Sequence, residues 1–286
     1  FARSGRPNVT ICRFVILGVP VVIRSASCEI IDRAEICYSA LPQHDAADQD
    51  CVQADVDMSP EGWTVRVSGR SPVLADGFLA AIRTLNHELL HGLMLRCQNL
   101  FYVHAGVVAI DGEALILPGL SRAGKSTLVL ALLQQGAEFL SDELLVFDPD
   151  NRVLLPFPRA VKVRDECLAY FPDLAESFVG EGEGRFLRPD GLEGLQIASE
   201  AKPAHIAAPR WQAGDTNQVE SLTRGEGLIH LLGSALNFGS HRSSSIDHLA
   251  EMVGSAGCSS VTWSNPHTAA GLLLETMRRR QSTLPS

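Results

Sequence analysis

The stretch Gly119-Leu120-Ser121-Arg122-Ala123-Gly124-Lys125-Ser126 constrains the fold more than any other part of this chain. It matches the pattern GxxxxGK[ST], which is meaningful when a strand leads into the loop and a helix leaves it. The apolar run EALILPG precedes the loop, and a helix-favouring run follows from Lys125 to about Gln135, where Gly136 is suited to end the helix. The sequence therefore predicts a strand, loop and helix unit around these residues.

Such a loop is built to hold phosphate. Glycines let successive backbone N–H groups converge on phosphate oxygens, and the helix N-terminus adds positive potential. In this pattern Lys125 neutralises β- and γ-phosphate charge, and the Ser126 hydroxyl binds Mg²⁺. We predict ATP and Mg²⁺ as ligands, contacted by Gly119, Leu120, Ser121, Arg122, Ala123, Gly124, Lys125, Ser126 and Thr127.

Two acids follow the loop helix closely. Asp142 lies sixteen residues after Ser126, and Glu143 is next to it. We predict a single strand over AEFLSDELLVFD, with both acids in its middle and apolar residues on either side. Acids beside a phosphate loop can bind Mg²⁺ or accept a proton from an incoming hydroxyl. We therefore predict Ser126, Asp142 and Glu143 as metal ligands, the alternative being an exposed acid pair in a hairpin.

A histidine lies on the strand expected to pair with the loop-bearing strand. The run FYVHAGVVAI, the turn Asp111-Gly112 and the run EALILPG together predict a hairpin. This hairpin places His104 across from the phosphate loop, where an imidazole can orient an acid or contact a phosphate. A histidine packed in the core is the alternative. The predicted catalytic residues are Asp142, His104 and Lys125.

The composition narrows the function classes. With 286 residues, 45% of them hydrophobic, the chain can bury a sizeable core. A formal net charge of -9 argues against a nucleic-acid partner or an anionic membrane. No stretch approaches the ~20 apolar residues of a membrane span, so we expect a cytoplasmic protein without a membrane partner. Homo-oligomerisation is left open.

We predict two regions, an N-terminal α+β region over 1–98 and an ATP-binding catalytic domain over 99–286. In the first, VTICRFVIL, PVVIRS and WTVRVSG read as strands, and a helix is expected from Asp76 to Cys97. That helix contains the segment HELLH, which satisfies HExxH but has no third ligand nearby, so we do not predict a metalloprotease. In the second region, the stretch 178–201 is rich in Gly, Glu and Arg and is expected to be a mobile loop.

The chain resembles the HPr kinase/phosphorylase family, in particular an HPr-kinase-related branch associated with bacterial biosynthetic clusters. The resemblance rests on His104-Ala105-Gly106, the hairpin, the phosphate loop, Gly136, Ser141-Asp142-Glu143 and Leu155-Pro156-Phe157-Pro158-Arg159. It implies an α/β fold: a P-loop kinase core of the HPr kinase and phosphoenolpyruvate carboxykinase type with an N-terminal α+β region. It also implies transfer of the ATP γ-phosphate to a serine hydroxyl of a small protein or precursor peptide.

Carried over residue by residue, the family's functional positions fall on His104, Lys125, Ser126, Asp142 and Glu143. The family has two consecutive Asp residues where this chain has Asp142 and Glu143, so Asp142 is the better candidate for the base. The Arg- and Gly-rich signature of the bifunctional enzymes has no clean copy here, which puts reverse phosphorolysis in doubt.

Two other functions compete with this hypothesis. A small-molecule kinase of the shikimate type also has an acid-bearing strand soon after the loop helix, but such kinases open with the phosphate loop, whereas about a hundred residues precede it here. A degenerate acid pair would favour a non-catalytic ATP-binding regulatory protein, so the presence of Asp142 argues for chemistry.

Overall fold

The computed structural model describes residues 9–119, 122–180, 185–237 and 245–283. The chain divides into two compact units, Phe1–Gln98 and Asn99–Ser286. The predicted mixed α/β architecture is confirmed, because both units combine sheets with helices.

The described part of the first unit is a five-stranded sheet with two helices. The elements are β1 Thr10–Ile16, β2 Val19–Ser25, α1 Cys28–Tyr38, a 3₁₀ turn Asp48–Asp50, β3 Val52–Ser59, β4 Gly62–Val67, β5 Val73–Ala75 and α2 Phe78–Arg96. The strands follow the order β1-β2-β3-β4-β5, in which β2 and β3 are parallel and the other neighbouring pairs are antiparallel. Helix α1 packs on β1 and β2, and α2 packs on β3, β4 and β5.

The second unit is centred on a six-stranded sheet. The strands of this sheet are β7 Ala105–Ile110, β8 Glu113–Pro118, β9 Glu138–Ser141, β15 Lys202–Trp211, β16 Gln218–Ser221 and β17 Gly257–Trp263. Their order in the sheet is β16-β17-β15-β8-β7-β9. Strands β17, β15 and β8 run parallel, while β7 pairs antiparallel with both β8 and β9.

Two small sheets and four helices make up the rest of the described part of this unit. One small sheet has the order β11-β10-β6 and the other β12-β14-β13. Their strands are β6 Phe101–Val103, β10 Leu145–Asp148, β11 Val153–Leu155, β12 Val161–Val163, β13 Phe178–Val179 and β14 Arg185–Leu187. The helices are α3 Lys125–Gln134, α4 Arg224–Leu232, α5 Ser245–Ser255 and α6 Pro266–Thr283, with 3₁₀ turns at Asp165–Tyr170, Pro172–Ser177 and Pro189–Gly191.

Strand β8 lies inside the large sheet because it is apolar on both faces. Leu115 and Leu117 belong to a core cluster shared with α3 and α6, whereas Ala114 and Ile116 belong to a second cluster shared with α4 and α5. A strand covered on both faces reads as a continuous apolar run rather than an alternating one. The strand that leads into the phosphate loop is therefore held rigidly from both sides.

Several predicted elements differ from the structure. The single strand expected over AEFLSDELLVFD is wrong: it is divided into β9 and β10, which belong to different sheets, and Asp142 and Glu143 lie in the turn between them. The run FYVHAGVVAI is likewise two strands, with His104 at their junction. The stretch expected to be a loop over 178–201 contains β13 and β14, while 181–184 lies outside the described residues.

None of the helices within the described ranges has the length and apolar character needed to cross a lipid bilayer.

Helix α3 lies very close to β7, and this closeness depends on Gly106. A Cβ on Gly106 would lie 2.7 Å from Cγ2 of Val129 on α3. We expect Gly106→Ala to lower the free energy of unfolding of this unit by about 2 kcal/mol, because α3 must shift to admit the methyl group. Gly254→Ala is the matched control, since a Cβ there meets nothing within 4 Å. Chemical denaturation checks both variants, and equal effects of the two would contradict the close packing of α3 on β7.

Candidate active site

The phosphate loop connects β8 to α3 through backbone conformations that few side chains tolerate. Gly119 has φ 149° and Gly124 has φ 88°, both in the region that favours glycine. Arg122 also has a positive φ of 74°, and its side chain is exposed. Lys125 opens α3 and is buried, and its Nζ donates a hydrogen bond of 2.6 Å to the carbonyl oxygen of Gly119. The ammonium group of Lys125 therefore lies inside the curve of the loop.

The remaining predicted loop residues are placed as follows. Thr127 is buried on α3, Ser126 and Ala123 are partly buried, and Leu120 and Ser121 lie outside the described residues.

The loop rests directly on the ring of Trp263, the last residue of β17. A Cβ on Gly124 would lie 2.1 Å from Cζ2 of this ring, so no other residue fits at this position. Sequence reasoning did not find Trp263, because it lies more than a hundred residues from the loop and carries no motif.

The register of the large sheet brings the other predicted residues to the same edge. Ala105 at the start of β7 is opposite Pro118 at the end of β8, and Val107 is opposite Ser141 at the end of β9. His104 and Asp142 immediately flank these paired positions. The edge where β8 delivers the phosphate loop is thus also the edge where His104 and the acid pair lie.

A serine hydroxyl turns the chain at the end of β9. The Oγ of Ser141, which is buried, accepts hydrogen bonds from the backbone N–H groups of Glu143 at 3.3 Å and Leu144 at 3.0 Å. Side-chain acceptors of this kind replace the ladder partners of a strand and form a turn. The turn directs Asp142 toward the phosphate loop instead of leaving it in a continuous strand.

Asp142 lies next to the loop. The Ser126 side chain and the backbone N–H of Lys162 are close enough to its carboxyl group to favour the ionised form and lower its pKa. Its Oδ1 atom is fully enclosed and has no hydrogen-bond partner among the described residues. A buried carboxyl oxygen without a partner is costly, so the arrangement is one that a ligand would complete.

Burial governs the charges at this site. The pKa of Asp142 is raised to about 7, chiefly because the carboxyl group is removed from water; Glu143 adds to the rise, whereas Ser126 and Lys125 oppose it. Burial also lowers the pKa of Lys125, although Asp142 and Glu143 partly offset this. A carboxyl with a pKa near neutrality exchanges a proton readily at physiological pH.

His104 is held as a neutral imidazole. Its Nδ1 lies 2.9 Å from the backbone carbonyl oxygen of Glu143, and because a carbonyl only accepts, Nδ1 carries the hydrogen and Nε2 is left as an acceptor. Burial lowers the pKa of His104, and the positive charge of Lys125 lowers it further. The backbone N–H of His104 donates to the carbonyl oxygen of Ser234 at 2.7 Å, which fixes this junction between two sheets.

Glu143 forms an ion pair with an arginine. Its carboxylate is 53% exposed and lies 2.6 Å from the Nη1 of Arg159, whose side chain is only 13% exposed. The segment carrying Arg159 is held beside β9 by a hydrogen bond of 2.9 Å from the N–H of Phe157 to the carbonyl oxygen of Leu140. The sequence analysis assigns no role to Arg159, although the motif LPFPR, which ends in this residue, is the signal that could have identified it.

The residues present fit a Mg²⁺–nucleotide complex. No group of three or more His, Cys, Asp or Glu side chains in the described part of the chain is arranged to hold a metal by itself. Mg²⁺ at nucleotide sites is bound by one or two protein oxygens together with phosphates and water, so a full protein cage is not required. The enclosed Oδ1 of Asp142 and the Ser126 hydroxyl supply those oxygens.

No protein-family model matches this chain, and no curated protein sequence matches it. Among solved structures it is similar to the Hpr(Ser) kinase/phosphatase from Coxiella burnetii, with 16% sequence identity and a TM-score of 0.30, over 63% of this chain and 95% of that one. A likeness at this level shows neither a shared family nor a shared activity.

The raised pKa of Asp142 predicts that this residue destabilises the unliganded protein at neutral and higher pH. A carboxyl whose pKa rises from 3.8 to about 7 on folding stabilises the fold in its protonated form, and that stabilisation is lost as the pH rises through about 7. We expect Asp142→Asn to raise the free energy of unfolding at pH 8 by on the order of 2 kcal/mol, with a gain that shrinks toward pH 4. Denaturation at several pH values checks this. A variant that is less stable than the parent at pH 8 would contradict the burial of an unsatisfied carboxyl.

Proposed function

We propose that this chain is an ATP-dependent phosphotransferase that moves the γ-phosphate to a serine hydroxyl of a small protein or precursor peptide. The observation that carries the proposal is the fully buried carboxyl group of Asp142, whose Oδ1 has no hydrogen-bond partner among the described residues and whose pKa responds to Ser126 and Lys125 of the phosphate loop. A carboxyl group that only binds Mg²⁺ needs no raised pKa, whereas a pKa near 7 suits one that accepts a hydroxyl proton. An acid that costs stability is expected where it serves chemistry.

The loop residues would hold the nucleotide. Lys125, whose Nζ now donates to the carbonyl oxygen of Gly119, would exchange this bond for phosphate oxygens. Ser126 and Asp142 would hold Mg²⁺, and Glu143 would reach the ion on leaving Arg159. Bound there, Mg²⁺ supplies neutralisation of phosphate charge.

Asp142 and His104 would act on the acceptor. In the transfer, the serine oxygen forms a bond to the γ-phosphorus, the bond from that phosphorus to the β,γ-bridging oxygen breaks, and its electron pair leaves with ADP. Asp142 accepts the proton that the serine hydroxyl loses. His104, whose Nε2 is an acceptor, would orient Asp142 by accepting a hydrogen bond from its carboxyl group once that group carries the proton. Arg159, already bound to Glu143, offers positive charge at the mouth of the site.

The protein or peptide nature of the acceptor is inferred from the sequence resemblance alone. It is tested by incubating the chain and ATP with the small proteins and peptides encoded beside its gene, followed by mass spectrometry of phosphoserine. Phosphorylation of a free sugar or another small metabolite instead of these polypeptides would overturn the acceptor class while leaving the phosphotransferase proposal intact.

Removal of the loop lysine should weaken nucleotide binding. We expect Lys125→Ala to lose at least about tenfold in ATP affinity, measured by calorimetry with Mg²⁺, because the ammonium group neutralises phosphate charge. Lys162→Ala is the matched control: this lysine is exposed, and its contribution to the site is a backbone N–H that the variant keeps. ATP affinity that is equal in Lys125→Ala and in the parent would overturn the phosphate-loop assignment.

Removal of the Asp142 charge should separate binding from transfer. We expect Asp142→Asn to lower the transfer rate about a hundredfold or more, because the amide cannot accept the hydroxyl proton, while ATP affinity changes much less. Glu138→Gln, at the other end of β9, is the control and should leave transfer unchanged. Parental transfer rates in Asp142→Asn would refute the catalytic role. Nucleotide binding without transfer in the parent, toward every acceptor tried, would favour a regulatory ATP-binding protein.

A further inference from the structure

Two histidines on α2 face each other across one helical turn. His87 and His91 are four residues apart, their rings are 4.4 Å apart between centroids, and their Nε2 atoms are separated by 3.2 Å. The side chain of His87 is 64% exposed and that of His91 is partly buried. Both belong to the first unit, whereas the phosphate loop belongs to the second.

The ring of His87 is oriented by a carboxylate. Its Nδ1 lies 3.1 Å from Oε1 of Glu88, and Oε2 of Glu88 lies 2.6 Å from Nε of Arg70. Glu88 is buried, so this ion pair holds the carboxylate in place. Since the carboxylate only accepts, Nδ1 of His87 carries the hydrogen, and Nε2 presents its lone pair toward His91. A carboxylate behind a ligating histidine is a common feature of metal sites, because it sets the tautomer and the direction of the ring.

We propose that His87 and His91 form a binding site for a divalent transition-metal ion that prefers imidazole, such as Ni²⁺, Cu²⁺ or Zn²⁺. Metal–nitrogen bonds of about 2.0–2.1 Å to two nitrogens at this separation subtend an angle of about 100° at the metal, which suits tetrahedral and octahedral coordination alike. The hydrogen that now lies between the two Nε2 atoms moves to Nδ1 of His91 when the metal binds, so both rings stay neutral. Water completes the coordination.

The arrangement supports binding rather than peptide hydrolysis. Within the described ranges no third His, Cys, Asp or Glu joins the two histidines as a ligand. The glutamate of the HExxH pattern is bound to Arg70 and to the Nδ1 side of His87, away from the two Nε2 atoms where a metal-bound water would lie. Glu88 is therefore a positioning residue for His87, and not a base for a metal-bound water.

Mg²⁺ does not compete for this site. Hard cations prefer oxygen ligands, whereas imidazole suits borderline transition metals. The two histidines would thus remain selective in the presence of the Mg²⁺ that the phosphate loop would use. A metal that links residues four apart also joins two successive turns of α2, the helix that covers β3, β4 and β5.

Titration calorimetry with Ni²⁺ tests the site, using the full chain without nucleotide and in excess Mg²⁺. We expect the parent to bind one Ni²⁺ and both His87→Gln and His91→Gln to lose at least about tenfold in affinity, because each removes one of two ligands. His230→Gln, which alters an exposed histidine on α4, is the matched control and should bind as the parent does. Ni²⁺ should also raise the melting temperature of the parent and of His230→Gln, but not that of the other two variants.

The proposal is overturned if the parent takes up no Ni²⁺ at millimolar concentration, or if His87→Gln binds as tightly as the parent. His87 is exposed, so its variant should fold normally and decides the question even if His91→Gln is destabilised. Electron paramagnetic resonance of bound Cu²⁺ gives an independent readout. Hyperfine coupling to two imidazole nitrogens supports the site, and coordination by oxygen alone overturns it.

Discussion

The close approach of α3 to the large sheet is the constraint on which the rest of the site depends. Gly106 on β7 and Gly124 at the start of α3 leave no room for a side chain, because Val129 and the Trp263 ring occupy the space that a Cβ would take. Interiors are packed at nearly crystalline density, so this contact fixes the position of the first turn of α3. Lys125 and Ser126 lie on that turn, and their position follows from the packing of the helix.

Asp142 is the residue of this site whose burial lowers the stability of the fold. Burying a carboxyl group without a full set of partners raises its pKa to about 7, and the fold tolerates this because β8 and β9 are held within a sheet covered on both faces. Ser141 turns the chain so that the carboxyl lies against Ser126 rather than in solvent. The buried carboxyl group thus lowers the stability locally, and the packed core around it keeps the unit folded. Such local losses of stability are common at functional sites.

The two candidate sites use different ligand chemistry in different units. Near the phosphate loop, the groups offered to a cation are a hydroxyl and carboxylates, which suit Mg²⁺. On α2, the groups are two imidazole nitrogens, which suit borderline transition metals. In both sites a group hydrogen-bonded to Nδ1 of the imidazole sets the direction of the ring: the Glu88 carboxylate, itself paired with Arg70, at His87, and the Glu143 carbonyl at His104.

The sequence by itself determined those features that depend on neighbouring residues. The apolar run of β8, the Asp111-Gly112 turn and the helix after Lys125 follow from local pattern and backbone preference, and the structure has each of them. Only the tertiary structure decided that β9 and β10 separate at Ser141, that Trp263 supports Gly124, and that Arg159 binds Glu143. The physical reason is that these features depend on contacts between segments distant in the sequence, such as the hydrogen bond from the N–H of Phe157 to the carbonyl oxygen of Leu140. A pattern of neighbouring residues does not reveal such contacts.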